Sequence, residues 1–473
     1  MMYNTDIRCT MDVRSTIMPF DSNKFIQQTS PQPTNVSYQT VSPLLARSAA
    51  RRGAGGEVLS LYVHIPFCAK HCAYCDFNTY VEKAQSKLPL ATVDAICQDI
   101  ELASLESHKS DYGDEEEIPL NRRPVPTIFF GGGTPTYLSG EQLGRILTTI
   151  RNCFDVMPGA EISSEANPGS SDAAKFAAMR AAGFNRLSIG IQSFDNNLLV
   201  ALDRFHTSDE AENAFRLARA AGFDNLNLDL MFALPQQTSR LWEASLERAL
   251  ALEVEHLSLY ALTLEAGTRF ERLHTGGKLD LPDEDEELGM YERSIALLTS
   301  SGYEHYEVSN FARPGFRCRH NQVYWRNEEY LGVGPGAVSY LAGRRFKRER
   351  LPAQYVLKIN QKINQKINQK INQKQNQTEN QASDATIDLA VESECLLPAE
   401  TLGETMMLGL RLRDGLPLSR LRSRFALDPL LRFAPQIAEL TARGLIVLDN
   451  DTLRLTHHGL LLANNVLSEF LPD

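Results

Sequence analysis

Residues 59–75 read LSLYVHIPFCAKHCAYC, an apolar run followed at once by three cysteines in the spacing C-x3-C-x2-C. The run from Leu59 to Ile65 has the length and the apolar content of a buried strand. Cys68, Cys72 and Cys75 then lie together on the loop that follows it. Because soft thiolate ligands select iron-sulfur clusters or zinc, the stretch predicts a metal-binding loop at the carboxyl end of a strand.

The same alternation of a short apolar run and a helix-length amphipathic stretch continues to about residue 342. The predicted strands are Leu59–Ile65, Thr127–Phe130, Glu161–Glu165, Arg186–Ile191, Asn225–Met231 and His256–Leu262. The predicted helices include Gly140–Cys153, Ser171–Gly183, Ser208–Gly222 and Ser239–Glu253. Six such repeats imply a parallel sheet with helices packed outside it, and roughly 280 residues suit a complete or partial (β/α) barrel. Functional residues are then expected at the carboxyl ends of the strands.

The composition is that of a globular α/β protein. Of the 473 residues, 43% are hydrophobic and 23% are charged. No apolar run reaches the roughly 20 residues that a membrane helix needs. Lys+Arg 48 against Asp+Glu 59 gives a net charge of −11, which argues against a dedicated nucleic-acid-binding protein. Eight cysteines are too few for a disulfide framework, so a reducing compartment is expected and the cytoplasm is the predicted location.

Shifts in composition divide the chain into four segments. Residues 1–57 are rich in Ser, Thr, Gln, Asn and Pro and predict a disordered leader, with an organellar transit peptide as the alternative. Residues 58–345 contain the predicted barrel. Residues 346–394 include a fourfold Lys-Ile-Asn-Gln repeat at 358–373; because one Ile per helical turn cannot form a core, a linker is predicted rather than a helix. Residues 395–473 predict a second domain.

Apolar periodicity returns in this last segment. Helices are expected around Leu402–Arg411, Leu418–Phe425 and Leu430–Arg443, followed by a hairpin and a final helix. This order resembles a winged helix. Basic and acidic residues are roughly balanced there, so a packing or partner-binding module is favoured over a DNA-binding one.

Three clustered cysteines, rather than four, distinguish between kinds of metal site. On a 4Fe-4S cube three thiolates leave one iron with an open coordination position, whereas an electron-transfer cluster is closed by a fourth. A zinc site completed by His64 or His71 is the alternative that the spacing leaves open.

The C-x3-C-x2-C motif after the first strand resembles the signature of the radical S-adenosylmethionine (SAM) superfamily. Further motifs resemble the family of the oxygen-independent coproporphyrinogen III dehydrogenase (HemN) over roughly residues 58–470. They are His64–Phe77, Phe129–Thr136, Arg186–Phe194, Asn227–Leu230 with Leu234-Pro235, and the terminal winged domain. The resemblance implies that the three cysteines hold a 4Fe-4S cluster whose open iron binds the amino and carboxylate groups of SAM. An electron from the cluster would cleave the sulfonium bond.

The resemblance also implies which residues contact SAM. The Gly-rich turn after the second predicted strand matches the segment that approaches its aminocarboxylate end, which assigns Gly132, Gly133 and Thr134. The other matching positions are Tyr62, Glu165, Gln192, Arg204 and Asp229. The alternatives that the residues leave open are a simple tight turn for the three glycines and a satisfied hydrogen bond at the barrel rim for each polar residue.

Two departures from HemN point to the related HemW-type haem chaperones. The dehydrogenase pattern has another cysteine two residues after the third, where this chain has Phe77. Residues 320–325 read HNQVYW and resemble the haem-binding motif of HemW, which assigns His320 as an axial ligand of haem iron. Tyr324 and Trp325 would offer flat apolar surface to the porphyrin, with Cys318 as a secondary contact. Taken alone, a His beside aromatic residues is more often structural.

Three hypotheses follow. The first is a haem chaperone that holds the cluster, SAM and haem, and transfers haem to acceptor haemoproteins; it implies an electron donor and a homodimer but no nucleic acid, and it assigns no catalytic residue. The second is radical-mediated oxidative decarboxylation of coproporphyrinogen III. The third is a zinc-bound interaction protein without redox chemistry.

Overall fold

The computed structural model describes residues 58–83, 85–108, 118–375 and 389–471. The predicted leader, residues 1–57, lies outside the described residues.

Six parallel strands form the centre of a twelve-stranded sheet. They are β1 (Ser60–Ile65), β2 (Pro124–Gly132), β3 (Asp155–Ala166), β4 (Arg186–Gln192), β5 (Leu226–Phe232) and β6 (His256–Ala261). Each strand pairs in parallel with the next one along the chain. All six predicted strands are therefore confirmed, in the expected order.

Helices connect these strands and cover one face of the sheet. They are α1 (Leu88–Ala103), α2 (Gly140–Cys153), α3 (Ala173–Ala182), α4 (Asn196–Ala201), α5 (Ser208–Ala220) and α6 (Ser239–Ala251). Ser139 begins α2 with a capping box, and Gly183 ends α3 in the left-handed conformation. Apolar side chains such as Ile128 and Phe130 of β2 fill the core between the sheet and the helices. The opposite face of the strands lines the barrel interior.

The sheet extends beyond the six strands at both sides. Next to β6 lie the antiparallel strands β7 (Glu304–Glu307) and β8 (Asn310–Ala312). Next to β1 lie β9 (Tyr330–Val333), parallel to it, and then β10 (Val338–Leu341), β11 (Arg344–Arg348) and β12 (Ala390–Cys395). The strand order is β7-β8-β6-β5-β4-β3-β2-β1-β9-β10-β11-β12, so β7 and β12 are the edges of an open sheet and the barrel is partial.

Three helices lie between β6 and β9. They are α7 (Arg269–Thr275), α8 (Glu284–Ser300) and α9 (Arg319–Trp325). Helix α9 carries the HNQVYW segment and contacts β2 and the C-terminal domain. No helix within the described ranges has the length and hydropathy needed to cross a membrane.

The repeat segment differs from the predicted linker. Helix α10 spans Pro352–Gln375 and packs on α1. Tyr355 and Ile359 are buried in the main core, and the Tyr355 hydroxyl donates to Asp99 Oδ2 at 2.8 Å. A stripe of one Ile per turn is sufficient here because α1 supplies the opposing apolar surface, which the repeat alone does not reveal. Strands β11 and β12, on either side of the insertion, pair with each other, so residues 346–348 and 390–394 belong to the sheet. The rest of the predicted linker, residues 376–388, lies outside the described residues.

The C-terminal segment contains short helices around a small sheet, as a winged-helix-like domain requires. The helices are α11 (Pro398–Gly409), α12 (Leu418–Phe425), α13 (Pro429–Arg432), α14 (Ala434–Ala442), α15 (His457–Leu461) and α16 (Ala463–Ser468). The sheet contains β13 (Leu416–Pro417), β14 (Ile446–Asp449) and β15 (Thr452–Leu455). The helix predicted over Leu430–Arg443 is interrupted at Phe433, because Pro435 lacks the N–H that a continuous helix would need.

Candidate functional site

The cysteine loop directly follows β1. Residues Phe67–Cys68 and Tyr80–Val81 pair as two short parallel strands and close the loop. Within it the Cys75 N–H donates to the Cys72 carbonyl at 3.3 Å. Cys68, Cys72 and Cys75 are all free thiols, partly accessible to solvent. Burial raises the pKa of Cys68 to about 11 and raises that of Cys75 as well, so the thiolate forms need a nearby positive charge such as a metal ion.

Two predicted SAM-contacting residues lie against the cysteine sulfurs. The Thr134 hydroxyl is 3.5 Å from Cys68 Sγ. Arg204 Nη1 donates to Cys72 Sγ at 3.5 Å, and its Nη2 donates to the Gly190 carbonyl at 2.5 Å. The cysteine loop, the turn after β2 and the segment after α4 therefore converge at the carboxyl ends of the strands, where the sequence predicts the site.

A zinc site completed by His64 would require this residue to give up a hydrogen bond, because Nδ1 is 3.0 Å from the Tyr62 hydroxyl and Nε2 is 3.1 Å from the Asn78 carbonyl. His71 Nδ1 lies 3.3 Å from the Thr79 hydroxyl. Among the described residues, no three His, Cys, Asp or Glu side chains converge as ligands of a single ion. A 4Fe-4S cube binds each cysteine through a different iron, so its thiolates need no common point, and the loop suits a cluster better.

The Gly-rich turn is required by close packing. Gly132 has φ 113°, and a Cβ there would lie 2.6 Å from the His64 ring. A Cβ on Gly133 would lie 2.7 Å from the Phe67 carbonyl oxygen. The N–H groups of Gly132, Gly133 and Thr134 donate to Glu165 Oε2, Ile65 and Phe67, respectively. The turn therefore contributes its shape and its closeness to the cysteine loop rather than unpaired N–H groups.

Tyr62, Glu165 and Asp229 face the barrel interior at different depths. Glu165 is the penultimate residue of β3, whereas Tyr62 and Asp229 lie in the middle of β1 and β5, deeper than a strand end. Burial, and then the charge of Asp229, raise the pKa of Glu165 to about 8. Asp229 itself accepts from Asn227 Nδ2 at 2.8 Å and from the Ser188 hydroxyl at 3.1 Å.

Two of the residues assigned to SAM have buried polar atoms that make no hydrogen bond within the described part of the chain. Gln192, the last residue of β4, has φ 68° and is 5% exposed, and its Oε1 has no hydrogen-bond partner among the described residues. Arg204 Nε likewise has none in this part of the chain. A strained backbone and unsatisfied buried polar atoms are typical of ligand sites. The residues assigned to SAM therefore fit a polar ligand at this edge of the barrel.

His320 also lies in the barrel interior, fully buried at 0% exposure. Its Nδ1 is 2.9 Å from the Thr127 hydroxyl, and its Nε2 is 3.0 Å from the Tyr324 hydroxyl. Because the Thr127 hydroxyl donates to Ser60, it accepts from His320 Nδ1–H, and the Nε2 lone pair then accepts from Tyr324. Burial, and then the charge of Arg186, lower the pKa of His320 to about 3, so the imidazole is neutral. A neutral imidazole is the form that ligates metals.

The neighbours of His320 serve a different purpose from the one expected. Trp325 packs in the core of the C-terminal domain, with the Arg411 guanidinium 4.3 Å from its ring centroid, so it offers no surface to a ligand beside His320. Cys318 is the N-cap of α9, and its sulfur accepts from the Asn321 N–H at 3.5 Å. Trp325 packs against the C-terminal domain and Cys318 caps the N-terminus of α9, so both residues anchor the helix that carries His320.

The interior contains polar residues that the sequence analysis did not single out. Asn227 links Asp229 to His256, whose Nδ1 is 2.6 Å from Asn227 Oδ1 and whose Nε2 is 2.9 Å from the Tyr306 hydroxyl. The sequence signal that could have identified these residues is the alternation of core-facing apolar residues and inward-facing residues within each strand. In β4, residues 187, 189 and 191 are apolar and in the main core, which leaves Arg186 and its alternate neighbours facing inward.

Comparisons with known proteins match both parts of the chain. Residues 62–249 match the model of the radical SAM superfamily, and residues 396–462 match that of the HemN C-terminal domain. The chain is 35% identical to the "Heme chaperone HemW" of Lactococcus lactis over 88% of this chain and 97% of that protein. It is 35% identical to the protein of the same name from Bacillus subtilis over 88% of this chain and 99% of the other.

A solved structure extends the comparison to the whole fold. Coproporphyrinogen III oxidase (HemN) from Escherichia coli, a radical SAM enzyme, superposes with a TM-score of 0.70 at 26% sequence identity. The match covers 90% of this chain and 93% of the enzyme. The predicted combination of a partial radical SAM barrel and a HemN-type C-terminal domain is therefore confirmed.

Proposed function

This chain belongs to the HemW family within the radical SAM superfamily, and on that basis we propose that it is a haem chaperone. It binds haem, holds a SAM-ligated 4Fe-4S cluster and delivers haem to acceptor haemoproteins. Membership of the superfamily implies the cluster and SAM, and the relatives' names supply the chaperone role. Its proposed location is the cytoplasm, with import into an organelle as the alternative.

The observation that carries the proposal is the aromatic connection between the two sites. The Tyr62 ring stacks on Phe129 with centroids 6.5 Å apart and planes 10° apart. Phe129 in turn stacks on His320 with centroids 5.2 Å apart and planes 23° apart. A residue assigned to SAM and the residue assigned to haem thus both stack on Phe129, which suits a protein in which cluster and SAM influence a bound porphyrin.

The cluster, when bound, supplies an iron with an open position for SAM and an electron. Cys68, Cys72 and Cys75 hold it. Arg204 donates to the Cys72 sulfur, which stabilises negative charge there. Glu165, with its raised pKa, can accept a hydrogen bond from an ammonium group once ionised, and Gln192 Oε1 provides a further acceptor.

Haem ligation through His320 requires one hydrogen bond to be exchanged. Thr127 keeps the proton on Nδ1, so Nε2 is the atom that binds iron. The Tyr324 hydroxyl occupies that lone pair in this structure, so it must move when iron binds. The proposal also includes an electron donor, an acceptor haemoprotein and a homodimer, because membership of the HemW family implies these partners.

Oxidative decarboxylation of coproporphyrinogen III is the second candidate, because the fold match to HemN covers most of both chains. Phe77 argues against it, since the dehydrogenase pattern has a cysteine there; here its backbone N–H bonds to the Cys75 sulfur. Anaerobic product analysis with SAM and a reductant separates the two. Conversion of the substrate to protoporphyrinogen IX would make the enzyme the leading candidate.

The principal test is a haem titration of anaerobically reconstituted protein, followed in the Soret region. We expect saturable binding near one haem per chain and weaker binding in His320→Ala. His458→Ala, at an exposed position in the C-terminal domain, is the matched control and should bind as wild type does. Equal binding by His320→Ala and the control, both verified as folded, would remove His320 from the haem site.

A further inference from the structure

Four residues at the same level of adjacent strands form a row across the barrel interior. Tyr62 of β1 is in register with Phe129 of β2, Phe129 with Ser163 of β3, and Ser163 with Arg186 of β4. Two members of the row are aromatic and two are polar. His320 stacks on its aromatic half. The row lies about 7 Å below Glu165, since one pleat repeat separates Arg186 from Ser188, the partner of Glu165.

Within the described part of the chain, the polar half of the row is buried with several side-chain atoms that have no hydrogen-bond partner. Arg186 is 1% exposed, and its Nε and Nη1 atoms have no hydrogen-bond partner in the described part of the chain. The hydroxyl of Ser163, 0% exposed, also lacks one there. A guanidinium stays charged under all ordinary conditions; Glu161 and Asp229 act favourably on that charge, but the donors without partners still make its burial unfavourable.

Glu161, one of the acidic side chains whose charge acts on Arg186, makes its hydrogen bonds elsewhere. Glu161 lies two residues before Ser163, and its carboxylate accepts from the first groups of helix α9. Oε2 accepts from the Arg319 N–H at 3.0 Å, and Oε1 from the His320 N–H at 3.1 Å. The carboxylate therefore anchors the helix, and it acts on Arg186 through its charge without bonding Nε or Nη1 in the described part of the chain.

We infer that Arg186 and Ser163 form a binding site for a carboxylate group inside the barrel. This inference rests on the proposed function and names the part of the ligand concerned: a propionate of the haem whose iron is bound by His320. Arg supplies two parallel N–H donors that match a carboxylate, and the Ser hydroxyl supplies a third.

The arrangement matches two chemical parts of haem. His320 Nε2 suits the iron and Arg186 is complementary to a propionate, while Phe129 stacks on His320 and holds its ring in place. His320 and Arg186 also influence each other electrostatically, so they lie near one another in the interior. A ligand with only one of these features would leave part of the row unused.

The test compares haem with its dimethyl ester, in which both propionates are esterified and uncharged. We expect wild-type protein to bind haem at least tenfold more tightly than the ester, on the order of one charge-assisted bidentate contact. In Arg186→Gln this preference should fall to nearly one, and Arg186→Lys should retain part of it. Equal affinity of the wild-type protein for haem and ester would overturn the inference and requires no variant.

Arg216→Gln, on the outer surface of α5, is the matched control, because it removes an exposed guanidinium that pairs with Glu212. It should keep the wild-type preference. A wild-type preference in folded Arg186→Gln would also overturn the inference. SAM binding, followed by equilibrium dialysis, should be unchanged in Arg186→Gln; parallel loss of SAM would instead assign Arg186 to the carboxylate of SAM. Absence of saturable binding for both porphyrins in wild-type protein would count against the haem chaperone itself.

Discussion

The imidazole of His320 stacks on the ring of Phe129, with 5.2 Å between the centroids. His320 belongs to helix α9, whereas Phe129 lies in the second strand of the barrel. The position of the imidazole is therefore fixed by the barrel wall as well as by its own helix. Thr127, two residues before Phe129, faces the same side of that strand and fixes the Nδ1 proton.

Tyr324→Phe should strengthen haem binding. The substitution removes the hydroxyl that occupies His320 Nε2, so iron no longer competes with that hydrogen bond. A net contribution of about 1 kcal/mol for one hydrogen bond corresponds to roughly fivefold tighter binding. Soret titration measures the change. Tyr303→Phe, which loses a hydroxyl bonded to the Val254 carbonyl, is the control and should leave the affinity unchanged. Weaker binding in Tyr324→Phe would mean that the hydroxyl contacts the ligand instead.

Single alanine substitutions of Cys68, Cys72 and Cys75 should abolish the iron-sulfur absorbance. Each thiolate binds a different iron of the cube, so the loss of one leaves the cluster with too few protein ligands. Iron and sulfide analysis of anaerobically reconstituted protein provides the measurement. Cys395→Ala removes an exposed cysteine outside the loop and should retain full loading. Colourless protein that binds one zinc per chain would support the interaction-protein hypothesis instead.

The sequence predicted the six strands and the cysteine loop because these features are local. Alternating apolar runs and closely spaced thiols are visible within a few residues. The sequence did not predict which distant segments of the chain pack against these elements. Strand β9, which pairs with β1, lies about 270 residues later in the chain, and Trp325 packs against residues after 400. For this reason the motif around His320 could be identified from the sequence, but its buried position on the barrel interior could not.

The helix over the Lys-Ile-Asn-Gln repeat illustrates the same limit of local reasoning. Ile359 has 0% exposure and packs in the main core, whereas Ile367, two repeats later, is 49% exposed. The same four-residue sequence thus has two environments, because α1 covers only the first part of α10.

Ile359→Ala should therefore destabilise the protein, whereas Ile367→Ala should not. Truncation of a buried Ile leaves a cavity and costs about 2–5 kcal/mol, while an exposed position changes stability by less than about 0.5 kcal/mol. Denaturant unfolding, followed by circular dichroism, measures both. Equal midpoints for the two variants would show that the first turns of α10 are not held on α1 in solution.

Acid should destabilise the chain through its buried histidines. Burial lowers the pKa of His320 from 6.5 to about 3, and the folded state therefore keeps this ring neutral where the unfolded state is protonated. Because the unfolded state binds more protons, the stability that His320 contributes is fully present above pH 6.5 and falls as the pH decreases towards 3. One such histidine changes the free energy of unfolding by about 1.4 kcal/mol per pH unit within that window. His64, His206 and His305, with pKa values of about 4, add to the same slope.

His320→Gln removes one of these groups, so its unfolding free energy should decrease less steeply than that of the wild-type protein between about pH 6 and 4.5. The difference should equal one proton, or about 1.4 kcal/mol per pH unit, whatever the effect of the substitution at neutral pH. Urea unfolding at several pH values gives both slopes, and His458→Gln, at an exposed position, should reproduce that of the wild type. Parallel slopes for His320→Gln and the wild type would mean that His320 is accessible to protons in the folded state. In that case the buried position of the His320 ring, with Nε2 bonded to the Tyr324 hydroxyl, would be wrong. The expectation that removing this hydroxyl strengthens haem binding would then be wrong as well.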